Sequence, residues 1–346
     1  MPPARTFSRI STTNNMGVDN RRAKDLSYLA FNFFSTIAVT FINKICFSRV
    51  EFGFPAALCN IHFLVTWVGV EMLRRCGMFE TVKVRVTDRN FLLICFLVGV
   101  VTPLNNTSLK LNSVGFYQIF KLLVTPVVVL LEYLWDRKTL STARALCLMG
   151  VCGFVLFSSK SDVSFSPYGM ICASLWVPLA AAYKVQWGRV RKQYNTTTLA
   201  LMYAVLPYAI VVQALVSPLV DPPGILEFVW TPNAIMWIGL SGIAAFLVNF
   251  SGFLVMGNIG ALAHVLLGQV KTAVIMFGAF FLFASTYSEM QLLGAAGAVV
   301  MIVFYTHVTL REKEGEKTRA KDDTTLPLID DSAASTNGPK VVQLTK

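Results

Sequence analysis

The chain has 346 residues, of which 55% are hydrophobic and only 14% charged, and its mean hydropathy is +0.59. Soluble enzymes usually carry about 25% charged residues, so the composition excludes that class and predicts a protein of the lipid bilayer. The seven cysteines lie scattered, mostly in apolar runs, without the spacing of a disulfide framework or a metal site. The net charge of +11 comes from short basic clusters rather than one basic face, so no nucleic-acid partner is predicted.

Ten apolar runs follow one another along the chain, separated by turn-forming segments such as Asp221-Pro222-Pro223-Gly224. A helix needs about 17 to 25 apolar residues to cross a hydrocarbon core of about 30 Å. The predicted fold is therefore all-α, a polytopic membrane protein with ten transmembrane helices. The predicted spans are 26–46, 55–73, 90–108, 112–134, 143–158, 167–187, 198–217, 233–256, 260–284 and 289–309.

Lys and Arg residues fall unevenly on the two sides of these ten spans. On the side of the termini lie 23 of the 30, whereas only Arg49, Lys110 and Lys160 lie on the opposite side. Basic residues in short loops stay cytosolic, so both termini are predicted to be cytosolic, which requires an even number of spans. The polar tails, 1–25 and 311–346, are predicted to be disordered.

A weak internal repeat runs through the region between the tails. At an offset of 144 residues, Asn105 matches Asn249, Gly150 matches Gly294 and Gly153 matches Gly297. Five spans per half is an odd number, so the second half is predicted to be inverted relative to the first. The predicted transporter domain, 26–310, thus comprises a first repeat at 26–158 and a second at 167–310.

Four lysines lie inside predicted spans: Lys44, Lys121, Lys184 and Lys271. A lysine near the bilayer centre costs about 2.5 to 3.5 kcal/mol on insertion scales, so it indicates a functional site unless it snorkels to the interface or has a partner. Lys121 and Lys271 are predicted near the midplane, with Lys44 toward the lumenal end of its span and Lys184 toward the cytosolic end. For Lys44 and Lys184, snorkelling remains an equal alternative.

No Asp or Glu lies deep in any predicted span, so the midplane lysines lack a carboxylate partner. Deprotonation, carbonyl partners or an anionic ligand could accommodate them, and the default for intramembrane ions favours a ligand. Tyr117 and Thr125 share a helix face with Lys121, and Thr272 lies beside Lys271. A polar stripe on the first span, which includes Asn32, Thr36 and Thr40, indicates either an aqueous cavity or hydrogen bonding between helices.

The lack of deep acids also bears on energy coupling, because proton-driven carriers usually use intramembrane Asp, Glu or His relays. Exchange of one anion for another keeps the lysines neutralised in each loaded state, so antiport is the predicted mechanism. Pro126 and Gly268 are predicted to loosen the helix backbone at the depth of the lysines.

Several motifs together resemble the nucleotide-sugar and triose-phosphate translocator family, which belongs to the drug/metabolite transporter superfamily and is called solute carrier family 35. The similarity is to subgroup E and covers about residues 26 to 310. The motifs are Asn105 to Leu109, Asn112 to Lys121, Thr125-Pro126, Ile42-Asn43-Lys44, Phe52-Gly53-Phe54-Pro55, His62-Phe63, Tyr183-Lys184-Val185 and Leu267 to Thr272.

This resemblance implies ten helices in two inverted halves, in the Golgi or endoplasmic reticulum membrane, and exchange of cytosolic nucleotide sugar for lumenal nucleoside monophosphate. It also implies that Lys121 and Lys271 hold the phosphate groups. Lys271-Thr272 is similar to nucleotide-sugar members. The stretch Gly268-Gln269-Val270-Lys271-Thr272 departs from the Gly-Ala-Leu-Asn-Lys pattern of GDP-mannose carriers, which favours a UDP-sugar. Tyr117, Thr125, Asn249 and Thr272 could donate hydrogen bonds to phosphate or sugar.

No cofactor, metal site or enzymatic activity is predicted, because the sequence holds no aqueous-facing catalytic cluster. The predicted partners are a phosphorylated small molecule and the lipid bilayer, and a homodimer is left open. The alternative functions are an organellar phosphate, triose-phosphate or phosphoenolpyruvate antiporter, and an orphan transporter-like protein.

Overall fold

The fold is described from a computed structural model of the chain. Backbone is described for residues 7–137, 139–159, 166–258 and 289–325, and for a few positions between 259 and 288, among them 267, 268 and 270–272. Every regular element in these ranges is helical. The helices are α1 (Phe7–Ser48), α2 (Pro55–Arg75), α3 (Arg89–Leu111), α4 (Val114–Leu122), α5 (Val124–Asp136), α6 (Thr142–Ser159), α7 (Pro167–Gln193), α8 (Thr198–Val220), α9 (Pro232–Asn258) and α10 (Glu289–Thr325), with a 3-10 turn at Ile225–Glu227.

Eight stretches of helix in the described part of the chain are long and apolar enough to cross a membrane. They coincide with eight of the ten predicted spans, so the prediction of an all-helical polytopic membrane protein is confirmed. The predicted fifth span corresponds to the shorter apolar helix Thr142–Ser158. The predicted ninth span, 260–284, lies largely outside the described residues, so the total of ten stays a prediction.

Helix extends into both segments that were predicted to be disordered tails. At the start, α1 begins at Phe7, and at the end α10 runs on to Thr325. The extension of α10 is rich in Glu, Lys and Arg, which have high helix propensity. Polarity alone therefore excluded burial of these segments but not helix formation.

The strongest helix pairings are α1 with α9, α3 with α7 and α3 with α8, followed by α2 with α8 and α2 with α9. If the two predicted halves were exchanged, α1 would correspond to α7, α2 to α8 and α3 to α9. The exchange converts the α1/α9 pair into the α7/α3 pair and the α3/α8 pair into the α9/α2 pair, and it leaves α2/α8 unchanged. This pattern is the one that two equivalent halves would produce, while the repeat boundaries stay a prediction.

Buried side chains join α1, α2, α3 and α9 through a chain of hydrogen bonds. His62 Nε2 lies 2.6 Å from Ser241 Oγ, and Ser241 Oγ donates to Asn43 Oδ1 at 2.6 Å. Asn43 Nδ2 in turn donates to Asn106 Oδ1 at 3.4 Å. Polar groups away from water need such partners, so this chain fixes how the four helices pack.

Glycines on α6 and α10 let these two helices approach closely. A Cβ atom built on Gly294 would lie 2.6 Å from Ser158 Cβ and 2.9 Å from the Phe154 carbonyl oxygen, and one on Gly150 would collide with Met301. Gly150 and Gly294 are a matched pair of the predicted repeat, and each packs against the helix that carries the other. Small residues of this kind allow close backbone contact in membranes.

We expect Gly294→Val to lower the thermal unfolding temperature in detergent. The new side chain would collide with backbone as well as side-chain atoms of α6, and overpacking usually costs about 1–3 kcal/mol. Gly153→Val on α6 is the matched control, because a Cβ there meets no atom within 4 Å. Equal unfolding temperatures for the two variants would contradict this account of the α6/α10 contact.

Candidate functional site

Lys121 lies where the fourth predicted span breaks into two helices. The first, α4, ends at Leu122, and α5 begins at Val124 after the single junction residue Leu123. Pro126 explains the break, because it has no N–H to bond the carbonyl of Leu122 and its ring crowds that carbonyl. The last turn tightens accordingly, with Leu123 N donating to Phe120 O at 3.0 Å. The predicted loosening of the backbone at Pro126 is therefore confirmed.

The Lys121 side chain is exposed although its neighbours on α4 are buried. Tyr117, Phe120 and Leu122 are each at most 7% exposed. The Lys121 side chain lies beside the buried ring of Tyr117, which packs against Trp176 of α7. This contact indicates that Lys121 faces an interior space rather than lipid.

Lys184 lies on the side of α7 away from the lipid-facing surface. Exposed apolar residues, among them Ile171 and Leu175, mark the lipid side of α7. Lys184 is also exposed, but it lies nine residues after Leu175 and therefore about 180° around the helix from it. The exposure of Lys184 is thus also to an interior space.

Lys271 is buried, with 6% of its surface exposed. Its Nζ donates to Asn32 Oδ1 on α1, and Asn32 Nδ2 donates to Ser251 Oγ on α9 at 2.9 Å. Ser35 and Ser251 hydroxyl oxygens also lie 2.9 Å apart. A neutral amide held by its own partners therefore orients the ammonium group without cancelling its charge.

Lys121 lies close enough to Lys184 and to Lys271 for repulsion between the ammonium groups. We call these three residues the lysine cluster. Among the side chains that the structure describes, no carboxylate forms an ion pair with any of them: Glu71 pairs with Arg74 and Arg75, and Asp136 with Arg189. Clustered cations with no anionic partner bind a multiply charged anion favourably, because the anion relieves their mutual repulsion.

An aromatic wall borders Lys121. Its Nζ lies 5.9 Å from the centre of the Tyr117 ring, which is within the range of a cation–π contact. The Tyr117 ring lies 5.9 Å from that of Trp176 on α7, and its hydroxyl is within reach of Asn105 on α3. Tyr117 therefore joins the lysine to α3 and α7, as its place on the same helix face predicted.

Lys44, also predicted as a site residue, caps the end of α3. Its Nζ donates to the carbonyl oxygens of Leu109 at 2.9 Å, Lys110 at 3.3 Å and Asn112 at 2.8 Å. The last carbonyls of a helix have no partner within it, and a cation there also interacts favourably with the helix dipole. These contacts account for the charge of Lys44, and none in the described residues links it to the lysine cluster.

The other predicted site residues bond within their own helices or make no polar contact in the described part of the chain. Thr272 is buried and its Oγ1 donates to Gly268 O at 3.1 Å. Asn249 is exposed and its Nδ2 donates to Ala245 O at 2.9 Å. Thr125 is half-buried on α5. Their contact with a substrate stays a prediction.

Asn32, which the sequence placed only in a polar stripe, contacts Lys271 in the structure. Two members of that stripe bond carbonyls of their own helix, with Thr36 Oγ1 donating to Asn32 O at 2.7 Å and Thr40 Oγ1 to Thr36 O at 3.0 Å. Asn32 and Asn43 instead bond other helices. Two interpretations were left open for the stripe, and hydrogen bonding accounts for Asn32, Thr36 and Thr40. Asn32 also contacts Lys271.

Polar contacts also close the end of the bundle that holds Lys44. Asp221, which follows α8, accepts from the N–H groups of Ala56 and Ala57 at 2.8 Å each, at the start of α2. Burial raises the pKa of Asp221, and the two donors act against that rise. Lys110 Nζ donates to Gly53 O at 2.7 Å. These contacts tie α2, α3 and α8 together at the predicted lumenal end.

An apolar helical bundle that spans a membrane and holds an unpaired cation cluster in its interior defines a polytopic membrane transporter for anions. The chain belongs to the Triose-phosphate Transporter family, whose sequence pattern matches residues 23–306. Membership of a family of transporters also shows that the chain is not an enzyme.

Relatives from Arabidopsis thaliana extend over most of the chain. "Nucleotide-sugar uncharacterized transporter 1" is 33% identical over 287 residues, which are 82% of this chain and 73% of the relative. "UDP-xylose transporter 2" is 27% identical over 308 residues, or 88% of this chain and 86% of the relative. One solved crystal structure matches with a TM-score of 0.52 at 16% identity, over 84% of this chain and 98% of that one, which shows a shared fold alone.

We expect the intramembrane lysines to separate into two kinds when each is replaced by Met. Lys44→Met should lower the unfolding temperature in detergent, because hydrogen bonds to charged groups contribute about 1.5–3 kcal/mol. Lys121→Met should leave the unfolding temperature unchanged or raise it, because it removes repulsion within the lysine cluster.

Both variants are measured without added nucleotide, so the comparison concerns the empty protein. A loss of stability in Lys121→Met as large as that in Lys44→Met would show that Lys121 has a structural partner. That outcome would contradict the assignment of the cluster as a site for an external anion.

Proposed function

We propose that the protein is an antiporter that exchanges a cytosolic nucleotide sugar, with UDP-sugars favoured, for a lumenal nucleoside monophosphate by alternating access. The observation that carries this proposal is the lysine cluster, which holds three ammonium groups without a carboxylate partner among the described residues. The family resemblance supports a location of the protein in the Golgi or endoplasmic reticulum membrane. The distribution of basic residues supports an orientation with both termini cytosolic.

Lys121 and Lys271 would hold the phosphate groups from opposite sides of the interior space. Lys184 adds a third positive charge near Lys121, which suits a substrate with at least two negative charges. Tyr117, Thr125, Asn249 and Thr272 are the proposed donors to phosphate or sugar oxygens. Lys44 acts indirectly, because it holds the end of α3 and does not contact the cluster in the described residues.

Obligatory exchange follows from the charge of the empty site. Reorientation of an empty carrier would move unpaired ammonium groups through a space closed to water, and that desolvation is costly. A bound nucleotide sugar or nucleoside monophosphate neutralises the cluster and makes the same movement favourable. The proposed moving unit is the transporter domain, 26–310, with its two inverted repeats, 26–158 and 167–310.

The preference for a UDP-sugar is supported by two further points. Relatives at 26–28% identity that extend over most of this chain carry the names UDP-xylose transporter and UDP-rhamnose/UDP-galactose transporter. The Lys271-Thr272 pair is the pattern of the nucleotide-sugar members in the family resemblance.

We expect liposomes that contain the purified protein and are preloaded with UMP to take up labelled UDP-sugars faster than liposomes that contain the protein without UMP. Lys121→Ala and Lys271→Ala should each lower uptake about ten- to hundredfold, the range expected when a charged hydrogen bond of about 1.5–3 kcal/mol is lost. Lys192→Ala is the matched control, because it removes an exposed lysine at the end of α7, away from the cluster.

Liposomes preloaded with GMP or phosphate, and labelled triose phosphate or phosphoenolpyruvate outside, extend the same assay. Uptake that prefers phosphate as the internal substrate would favour the organellar phosphate antiporter instead. Full-speed uptake into empty liposomes would contradict obligatory exchange, and unchanged uptake by either lysine variant would remove that residue from the site.

A further inference from the structure

A second pocket lies at the predicted cytosolic surface, away from the lysine cluster. It has a volume of about 370 Å³ and is formed between α2, α8 and the loop that joins α2 to α3. The loop contributes Thr81 and Lys83, α2 contributes Trp67, and α8 contributes Tyr203 and Tyr208. The pocket therefore combines a polar, basic rim with an apolar and aromatic floor.

The pocket extends from the loop between α2 and α3 toward the middle of α2 and α8. Trp67 lies eight residues before the end of α2 and Tyr208 ten residues after the start of α8, so both lie about 12–15 Å from the helix ends at 1.5 Å per residue. Thr81 and Lys83 lie in the loop beyond those ends. A ligand that fills the pocket would thus run from the interface into the hydrocarbon region.

The pocket adjoins the surface that lipid covers. Leu64 and Val68 flank Trp67 on α2, and Val211 follows Tyr208 by one turn on α8, and all three are exposed apolar residues. In a membrane-spanning helix such residues contact acyl chains. The apolar floor is therefore continuous with a lipid-facing surface, so a bilayer lipid can enter it from the side.

The charge around the pocket favours an anionic lipid. Residues 71–89 include five basic and three acidic side chains, and two of the acids are already engaged. Glu71 pairs with Arg74 and Arg75, and Asp88 accepts from the Tyr194 hydroxyl at 2.8 Å. Lys83 is exposed and forms no ion pair among the described residues, so it is available to a phosphate group.

Two aromatic contacts hold the walls of the pocket in place, and one buried donor in the pocket has no hydrogen-bond partner among the described residues. The Arg74 guanidinium lies 5.8 Å from the centre of the Tyr203 ring, and Phe91 packs edge-on against Tyr208 with ring centres 5.5 Å apart. The indole N–H of Trp67 is buried without a hydrogen-bond partner in the described part of the chain. Trp67 lies near the middle of α2, so it borders the part of the pocket that an acyl chain would fill.

From this geometry we propose that the pocket binds one anionic glycerophospholipid of the cytosolic leaflet. The headgroup phosphate contacts Lys83 and Thr81, and one acyl chain lies along Trp67 and Tyr208. Occupancy ties the α2–α3 loop to α8, which stabilises the packing of α2 against α8. The site is separate from the lysine cluster and does not depend on which substrate is transported.

The experiment measures thermal unfolding of the full chain in detergent, without nucleotide, during titration with lipids of identical acyl chains. Phosphatidylserine should raise the unfolding temperature more than phosphatidylcholine does, because binding to the folded state stabilises it. Lys83→Gln should raise the half-saturating concentration of phosphatidylserine about fivefold, the effect of one basic residue at an anionic surface. Ala204→Phe, which fills the pocket, should remove the response to both lipids.

Lys192→Gln is the charge-matched control, because it removes an exposed lysine on the same side but outside the pocket. Equal stabilisation by the two lipids, or an equal effect of Lys192→Gln and Lys83→Gln, would overturn the proposal in favour of a general detergent or charge effect. Equal stabilisation by soluble glycerophosphoserine would overturn it in favour of a site for free anions. If Ala204→Phe does not fold, the Lys83→Gln titration still decides.

Discussion

Repulsion within the lysine cluster is the constraint on which the interior of this protein depends. Lys184 and Lys271 each lie within electrostatic reach of Lys121 inside a bundle of apolar helices. Lys121 and Lys184 are exposed to an interior space rather than to lipid, and Lys271 is held by the neutral amide of Asn32. Repulsion between like charges does not stabilise the protein, and the proposed anion site rests on this observation.

Two other lysines of the bundle have hydrogen-bond partners in the backbone. Lys44 and Lys110 donate to backbone carbonyls near helix ends, where the carbonyls lack partners within the helix. The first N–H groups of a helix also lack partners within it, and the Asp221 carboxylate accepts hydrogen bonds from those of α2. One end of the bundle is therefore closed by satisfied backbone groups, whereas the lysine cluster has no carboxylate partner among the described residues. The contacts of Lys44 and Lys110 serve stability, and the binding role proposed above falls to other lysines.

Much of the fold was predictable because a bilayer imposes simple rules on a sequence. Apolar run lengths located eight membrane helices and the short helix α6, and Pro126 located the break beside Lys121. Gly150 and Gly294, which the sequence matched only as part of a weak repeat, both lie at the contact between α6 and α10 in the structure. The helical extensions of both tails were missed, because low hydrophobicity signals exposure and says little about local helix propensity.

The sequence by itself determined that the chain spans a membrane. It also showed which lysines lie inside the predicted spans, where a charge is costly in lipid, and that no carboxylate lies deep in those spans. These properties depend on residue type and on position within one apolar segment, because the bilayer limits the length and polarity of each segment separately. Only the tertiary structure decided that Lys44 caps α3, that Asn32 holds Lys271, and that Lys184 joins Lys121. Each of these contacts joins residues more than 60 positions apart, and their approach depends on how whole helices pack, which no local pattern encodes.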